Sequence, residues 1–407
     1  MRIVVQKFGG SSLSSPEKRK AVLERIRAAV DGGRKAVVVV SAMGRMGDEF
    51  ATDSILGRLD SLVPEPLPEQ RDLVASTGEL YSLAAMSSLA VREGLRAAAF
   101  SGFDLPLITD CDFGDAAILG VGTLNLMRAL RENDVVFVAG FQGVSREGFV
   151  TTLGRGGSDT TAAALASALG ADCAEIYTDV DGVRTVDPRD YPEAPLISGL
   201  DYMEMGEMAS EGAKVLHTRC VEIAERGGLD LFVRNSFSDA PGTIISSSSG
   251  SGRVVSGFIH RAGISDFCAD YSLVNNAPKR QGALFEALAD GGISLDMINV
   301  CGKRVFFSVS SSDSGPVKRY FSVSGIKYTE TGGVAKISCV GSGMKGVPGV
   351  MASVFRVLSE AGVRVHRIVD SFINISFLIS ESDSGRALSA LHGLLDADPA
   401  DRKSSKL

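Results

Sequence analysis

Short apolar runs alternate with longer segments of helical periodicity along the first part of the chain. The apolar runs, rich in β-branched residues, span residues 3–5, 35–41, 134–139, 174–178 and 230–233. Apolar positions recur at helical spacing over residues 17–30, 72–93 and 158–169. Because runs without polar alternation are typical of strands covered on both faces, the pattern predicts an α/β domain with a mostly parallel sheet over residues 1–237.

The pattern changes at SDAPGTIISSSSGSGRVVS, where serine and glycine replace most apolar residues. This composition predicts a flexible linker over residues 238–257. Beyond it, GALFEALADG, ISLDMINV and KRVFFSVS follow one another, and VMASVFRVLSEAG, VRVHRIVD and INISFLIS repeat that order. The repeat predicts a duplicated helix–strand–strand module, at 258–330 and 331–407. Such a pair suits sensing; a paired structural or dimerisation domain is the alternative.

Composition and charge exclude several classes of protein. The 407 residues include 42 Lys and Arg against 49 Asp and Glu, a net charge of −7, which argues against a protein that coats nucleic acid or anionic membrane. The apolar stretches are too short to span a bilayer, and no signal peptide is expected. Six cysteines lack a C-x-x-C pair and four histidines lack ligand spacing, which predicts reduced thiols in a cytoplasmic protein without a zinc site.

Two glycine-rich stretches are candidates for binding anionic groups. In VQKFGGSSL, Lys7 precedes two glycines, but neither common phosphate-loop signature is present, so a plain strand and turn remains open. In TTLGRGGSDTTAAALA, Arg155 lies among three glycines before a helix that begins near Ser158. A helix N-terminus and a bidentate guanidinium both favour a carboxylate or a phosphate. The alternative, Ser158 or Asp159 as a simple N-cap, leaves Arg155 without a role.

Acidic residues in YTDVDGVRTVDPR follow a predicted strand, at the sheet edge where ligands bind in this fold class. Asp179, Asp181 and Asp187 could hold a metal-bound nucleotide or could be ordinary turn residues. Glu79, in the first turn of a helix, either stabilises the helix dipole or binds an ammonium group. Lys214 is predicted on an alanine-rich helix surface. Two loops with cations and an acidic strand edge together suit phosphoryl transfer, with lysine, arginine and Mg²⁺ neutralising charge.

At these residues the chain resembles the aspartokinases of the amino-acid kinase superfamily. The motifs, in order, are KFGGSSL, VVVVSAMG, TTLGRGGSDTTAAALA, YTDVDGVRTVDPR and GAKVLHTR. The segment SAMGRMGDEFATDSILG is similar to the insertion of the diaminopimelate-sensitive isoform. The resemblance implies a three-layer α/β/α sandwich of the amino-acid-kinase type, followed by two ferredoxin-like ACT modules that exchange strands.

The resemblance also implies MgATP-dependent phosphorylation of the side-chain carboxylate of L-aspartate to 4-phospho-L-aspartate. This reaction opens the route to lysine, threonine, methionine and diaminopimelate. Mg²⁺ would be bound mainly through the nucleotide phosphates, with no metal held by the protein alone. No general base is needed, because a carboxylate with an unperturbed pKa of about 3.9 is already ionised at pH 7.

Residue roles follow from the same resemblance. Lys7 would neutralise charge on the transferring phosphoryl group, and Asp159 would bridge Lys7 and Lys214, which makes these three the catalytic set. The implied ATP-binding set is Lys7, Phe8, Gly9, Gly10, Ser41, Thr178, Asp179, Arg184, Lys214 and Val215. The implied aspartate-binding set is Thr52, Glu79, Arg155, Gly156, Gly157 and Ser158.

The sequence departs from the family in three places. Ser11 replaces a threonine, and the usual T-T-D after SAMG is displaced, so its role is transferred to Thr52. The first ACT module reads NAPK, where relatives have D-x-P-G. An effector, lysine, threonine or diaminopimelate, is expected there, at Asn276, Gln281, Gly282 and Asp296. ACT modules pair across subunits, which predicts a homodimer or a homotetramer. The remaining alternatives are a related kinase such as glutamate 5-kinase, and a catalytically silent amino-acid sensor.

Overall fold

The computed structural model describes residues 1–104, 107–250, 252–344 and 346–396. Contacts divide the chain into two compact units. The first unit contains Met1–Val183 and the chain from Leu196 to the serine-rich segment, and the second contains Arg184–Pro195 and the chain from Gly252 onward.

The first unit alternates strands and helices, as the hydrophobic pattern predicts. Its strands are β1 (Ile3–Phe8), β2 (Lys35–Val40), β3 (Ala97–Phe100), β4 (Leu107–Thr109), β5 (Ile118–Val121), β6 (Val135–Ala139), β7 (Gln142–Ser145), β8 (Val150–Thr152), β9 (Cys173–Thr178), β10 (Gly199–Leu200), β11 (Leu231–Asn235) and β12 (Thr243–Ile245). Its helices are α1 (Pro16–Asp31), α2 (Thr52–Leu62), α3 (Pro68–Ala75), α4 (Thr77–Arg92), α5 (Leu124–Glu132), α6 (Gly157–Leu169), α7 (Tyr202–Ser210) and α8 (Thr218–Gly227). Ser15 caps α1 by accepting from the Lys18 amide, with Pro16 at the first position.

An eight-stranded sheet in the order β10-β12-β11-β9-β1-β2-β6-β3 forms the centre of this unit. All its pairs are parallel except β11 with β12. Val4, Phe8 and Val38 share one apolar core with α1 and α4, while α6 contacts β1, β2 and β9. The predicted fold class, a mostly parallel sheet between helices, is confirmed, and β1 and β9 end together at its carboxyl edge.

A second, four-stranded sheet in the order β5-β4-β7-β8 was not predicted from the sequence. Its strands are three or four residues long, too short to show a clear periodicity. This small sheet matters for the site because β8 leads directly into the glycine-rich stretch around Arg155.

The second unit contains an antiparallel sheet in the order β14-β15-β13-β16-β18-β17. Its strands are β13 (Gly257–Asp270), β14 (Asp296–Cys301), β15 (Arg304–Ser310), β16 (Lys327–Val340), β17 (Val365–Asp370) and β18 (Asn374–Ser380). Its helices are α9 (Ala277–Asp290), α10 (Ser314–Ser324), α11 (Val350–Glu360) and α12 (Ser384–Asp396). Both predicted repeats therefore form a helix followed by two antiparallel strands.

The two modules of this unit share their long central strands. The second half of β13 pairs with β15, while its first half pairs with the end of β16, which continues to β18. The first module has an aromatic core around Phe267, Phe307 and Phe321, and the second has an aliphatic core around Val354 and Leu358. The proposed boundary at residue 330 falls inside β16, because that strand serves both modules.

Three elements differ from the sequence predictions. The predicted linker contains β12, which pairs with β10 and β11 in the main sheet. The predicted helix 72–93 is two helices, and the carbonyl of Ser76 at the break accepts a hydrogen bond from the Gln142 side chain. Residues 184–195 belong to the second unit, where Val186 and Ala194 enter the aliphatic core. All three depend on partners distant in sequence.

Candidate active site

The first group of candidate residues is the Lys7 loop (residues 7–12), at the carboxyl end of β1. The Lys7 Nζ lies 2.6 Å from Oδ1 of Asp159, and both side chains are largely buried. The chain then turns through Gly9 and Gly10 into a single 3₁₀ turn. A Cβ on Gly10 would lie 2.3 Å from the carbonyl oxygen of Ala42, so only glycine permits this approach. The strand thus delivers an ammonium group to a loop of backbone amides.

The second group is the Arg155 loop (residues 154–158), between β8 and α6. Gly154 and Gly156 have φ angles of 69° and 68°, a left-handed conformation that favours glycine. A Cβ on Gly156 would lie 2.2 Å from the Cβ of His217, so the loop is also closely packed. Arg155 itself is exposed, and among the described residues its guanidinium has no hydrogen-bond or ion-pair partner. The loop holds its backbone rigidly and presents one free cation.

The first turn of α6 joins the two loops. Gly156 occupies the N-cap position, so neither Ser158 nor Asp159 is the simple cap that the sequence left open. Both side chains are instead buried, and Asp159 pairs with Lys7. The positive end of α6 and the Lys7 ammonium therefore lie at the same place, an arrangement that favours a phosphate or a carboxylate.

Glu79 is buried, contrary to the expectation for a dipole-stabilising residue on a helix surface. Its Oε1 accepts a hydrogen bond from the Ala42 amide at 3.0 Å, while its Oε2 has no partner in the described structure. Burial raises the pKa of this carboxyl from 4.5 to about 8. A buried, unpaired carboxylate oxygen is costly, which makes it a good partner for a ligand ammonium group.

Thr52 begins α2, in the segment that resembles the diaminopimelate-sensitive insertion. The carbonyl oxygen of Phe50 and the side chain of Ile55 would lie 2.8 and 3.4 Å from a Cβ on Gly78, the residue before Glu79. The structure therefore brings the Thr52 segment to the start of α4.

The nucleotide-side residues lie at the ends of β1, β2 and β9. The Phe8 ring is fully buried and stacked on Tyr177, so only its backbone can face a ligand. Ser41 donates its amide to the Phe8 carbonyl at 3.2 Å. Thr178 donates to Asp179, which also pairs with Arg45. Acidic and hydroxyl groups are thus placed beside the Lys7 loop.

Three further residues of the YTDVDGVRTVDPR segment do not join this group. Asp181 accepts hydrogen bonds from Asn235 and Ser238, which suits a structural turn. Asp187 pairs with Arg189. Arg184 belongs to the second unit and donates to the Ala194 carbonyl at 2.6 Å, and its assignment to the ATP site stays a prediction.

Lys214 and Val215 also differ from expectation. Both lie in the loop between α7 and α8, and not on a helix, because α7 ends at Ser210. The Lys214 side chain is exposed, and no ion pair joins it to Asp159 within the described residues. Within the described residues Asp159 pairs with Lys7, and the predicted bridge from Asp159 to Lys214 stays a prediction. His217 caps α8, because its side chain accepts a hydrogen bond from the Arg219 amide.

Sequence reasoning missed Asp115 and Arg219, which brace the Arg155 loop. Arg219 donates to the carbonyl oxygens of Leu153 and Asp115 and pairs with the Asp115 carboxylate at 2.7 Å. Oδ1 of Asp115 would lie 2.5 Å from a Cβ on Gly154. The arginine of GAKVLHTR was visible as part of a motif, but Asp115 carries no local signal.

The predicted effector residues lie in the first module of the second unit. Asn276 precedes α9 with a φ of 55°, and Gly282 lies one turn into that helix. Gln281 donates to the Gly302 carbonyl, and Asp296 pairs with Lys336 at 2.7 Å. An effector at this place would compete with these internal bonds.

Two features are absent from the described residues: a cluster of metal-ligating side chains and a helix able to cross a membrane. No group of three or more His, Cys, Asp and Glu side chains there could hold a metal ion. No helix in the same part of the chain has the length and apolar character needed to cross a membrane.

Comparison with known proteins gives matches to kinases over the whole chain. The profile of the amino acid kinase family matches residues 2–235, and that of the ACT domain matches residues 337–395. Aspartokinase 1 of Bacillus subtilis (strain 168) is 36% identical, covering 97% of this chain and 99% of that protein. The structure of E. coli aspartokinase III with aspartate and ADP (R-state) has a TM-score of 0.78 at 26% identity, covering 97% of this chain and 100% of that one. The same enzyme with lysine and aspartate (T-state) has a TM-score of 0.79 at 25% identity, with equal coverage.

Proposed function

The chain belongs to the aspartokinases of the amino acid kinase family, and we propose that its Lys7 loop and Arg155 loop carry out the reaction. The resemblance predicted from sequence is confirmed. The protein is an ATP-dependent kinase that phosphorylates the side-chain carboxylate of L-aspartate, giving 4-phospho-L-aspartate, with control through its ACT domains. The roles of individual residues in this reaction are our proposal.

The ion pair between Lys7 and Asp159 is the observation that carries the proposal. Asp159 holds the Lys7 ammonium in one position, at the N-terminus of α6 and beside Gly9 and Gly10. In phosphoryl transfer the protein contributes mainly position and charge neutralisation. We therefore assign to Lys7 the role of neutralising the negative charge on the transferring phosphoryl group. Mg²⁺, carried on the nucleotide phosphates, would supply further neutralisation. Ser41, Thr178 and Asp179 would line the nucleotide.

The acceptor side is assigned to Arg155, Ser158 and Glu79. The free guanidinium of Arg155 would bind the α-carboxylate of aspartate bidentately, and Oε2 of Glu79 would bind its ammonium. One oxygen of the side-chain carboxylate then bonds to the γ-phosphorus as the bond to the β,γ-bridging oxygen breaks, and ADP leaves with the electron pair. Since the nucleophile is already an anion, no proton has to be removed.

An amino-acid effector (lysine, threonine or diaminopimelate) is proposed to bind the first module at Asn276, Gln281, Gly282 and Asp296. The side chains of Gln281 and Asp296 already have partners within the protein, so effector binding would rearrange these two residues. Titration calorimetry with each amino acid separates the three candidates.

A homodimer or homotetramer is proposed through the exposed apolar residues of edge strand β14, Ile298 and Val300, and light scattering tests it. The six free cysteines support a proposed cytoplasmic location.

The decisive experiment traps the acyl phosphate. Purified protein with MgATP, hydroxylamine and L-aspartate should give aspartate hydroxamate in proportion to ADP. Glutamate in place of aspartate should give none; turnover with glutamate alone would indicate a glutamate kinase. Binding of both ligands without ADP formation would indicate a silent sensor.

A further inference from the structure

The carboxylate of Asp72 is among the most buried charged groups of the first unit, and it lies outside the Lys7 loop and the Arg155 loop. Asp72 lies on α3 and is 3% exposed. Its Oδ2 accepts from the Gly114 amide at 3.0 Å and from the Thr152 amide at 2.7 Å, and its Oδ1 accepts from the Thr152 hydroxyl at 2.9 Å. Burial raises the pKa of this carboxyl, and the three donors oppose that effect. The bonds are the compensation that a buried carboxylate requires.

These three bonds connect the two parts of the chain that carry the acceptor-side residues. Thr152 ends β8, three residues before Arg155. Gly114 precedes Asp115, which packs against Gly154 of the same loop. On the other side, α3 ends at Ala75 and is followed by α4, whose first turn carries Glu79. The Asp72 carboxylate therefore connects α3, which is followed by the helix that carries Glu79, to β8, which leads into Arg155.

The chemistry of the contact favours a carboxylate. An asparagine could accept from the two amides through its Oδ1, but its amide group would have to donate to the Thr152 hydroxyl, which reverses that bond, and the charge that strengthens the two amide bonds would be lost. A purely packing role would be met by any group of that volume, whereas three converging donors select an acceptor-only group. The contact fixes the distance from α3 to the backbone at Gly114 and Thr152, because both amide donors belong to the main chain.

Resting on the proposed function, we propose that Asp72 is a positioning residue for the acceptor substrate. Its carboxylate sets the separation between Arg155 and Glu79, which must match the distance between the α-carboxylate and the ammonium of aspartate. The nucleotide side is held by other bonds, those of Lys7 and Asp159. Loss of Asp72 therefore weakens aspartate binding and leaves ATP binding intact.

The test is the kinetics of Asp72→Asn and Thr152→Val in the full chain. Hydrogen bonds to a charged group are about twice as strong as neutral ones, so we expect the KM for aspartate to rise roughly 3- to 10-fold in Asp72→Asn. The KM for ATP should stay within about twofold, and kcat should fall less than KM rises. Thr152→Val removes one bond and should raise the aspartate KM several-fold. Asp72→Glu should restore part of the affinity.

Asp134→Asn is the matched control. Asp134 is a less deeply buried carboxylate of the first unit, bound to Lys35 and Arg96, and it lies at the amino end of β6. This variant should lose stability and keep both KM values. Equal rises of both KM values in Asp72→Asn, or a fall in kcat that only follows the folded fraction, would overturn the proposal. If Asp72→Asn does not fold, an unchanged aspartate KM in folded Thr152→Val overturns it as well. An inactive wild type would instead disprove the proposed function.

Discussion

The Lys7 loop and the Arg155 loop both place a cation beside glycines, but they hold it in opposite ways. Lys7 is attached to a central strand and neutralised by Asp159, whereas Arg155 is exposed and unpaired among the described residues. Gly10 is required by the close approach of a carbonyl oxygen, while Gly156 is required by its φ of 68° as well as by packing. A fixed, paired charge suits the reacting phosphoryl group, and a free charge suits a ligand that binds and leaves.

Replacing Lys7 should give the largest effect, because Lys7 is the cation on the phosphoryl side. Loss of one donor at a developing charge costs about 100- to 1,000-fold in kcat, so Lys7→Met should lower kcat by at least that factor. The aspartate KM should change little. The hydroxamate assay measures both, with Lys20→Met on the exposed face of α1 as the control. A kcat within a few-fold of wild type would remove Lys7 from the chemistry.

Replacing Arg155 should act on binding. Removing a bidentate charged contact costs ~2–3 kcal/mol, so Arg155→Ala should raise the aspartate KM roughly 30- to 150-fold with a smaller change in kcat. Arg131→Ala, an exposed arginine on α5, should leave both constants unchanged. If Arg155→Ala instead lowered kcat as Lys7→Met does, the two loops would not have separate roles.

Alanine substitutions at three glycines should separate the cost of steric crowding from the cost of backbone strain. Gly170 has a φ of 58° and open space around it, so Gly170→Ala measures the conformational cost alone, ~1 kcal/mol. Gly10→Ala measures crowding alone, ~1–3 kcal/mol. Gly156→Ala combines the two and should lower the free energy of unfolding most. Urea denaturation ranks them; a Gly156→Ala variant no less stable than Gly170→Ala would contradict the packing against His217.

The pH dependence should differ between the two substrates. With a pKa of about 8, Glu79 is mostly protonated in the free protein at neutral pH, and an ammonium ligand favours its ionised form. Aspartate affinity should therefore rise between pH 6.5 and 8.5, with release of a proton on binding, while ATP affinity should not follow. Calorimetry in buffers of different ionisation enthalpy measures that proton. Glu79→Gln should abolish its release.

The buried Glu79 carboxyl should also make the free energy of unfolding depend on pH, in a direction that follows from its raised pKa. Between pH 4.5 and about 8 the folded chain keeps a proton on Glu79 that the unfolded chain loses, so this group makes the free energy of unfolding fall as pH rises. The slope is at most ~1.4 kcal/mol per pH unit. Glu79→Gln should remove it, whereas Glu17→Gln, whose exposed carboxyl has a lowered pKa, should not. An identical slope in Glu79→Gln would contradict the burial of this carboxyl.

Sequence reasoning predicted most of the buried framework and the motif residues of the site. The strands β1, β2, β6, β9 and β11 were visible because each contains consecutive apolar residues, and the first four are buried on both faces over most of their length. The short strands β4, β5, β7 and β8 were not visible, since three or four residues cannot display a period. Lys214 and Arg184 were assigned from motifs alone, and their roles at the ATP site stay predictions: Lys214 lies in an exposed loop and Arg184 belongs to the second unit.

The fold class, the repeated modules and the family could all be predicted from the sequence, because these depend on periodicity and on motifs contained in one stretch of chain. Which charged groups pair with each other depended on the tertiary structure. It paired Lys7 with Asp159, buried Glu79 with one oxygen free, and joined Asp72 to Thr152. Each of these depends on residues far apart in sequence that meet only when the sheet and its helices are packed. The same packing removes the water that would otherwise weaken their interactions.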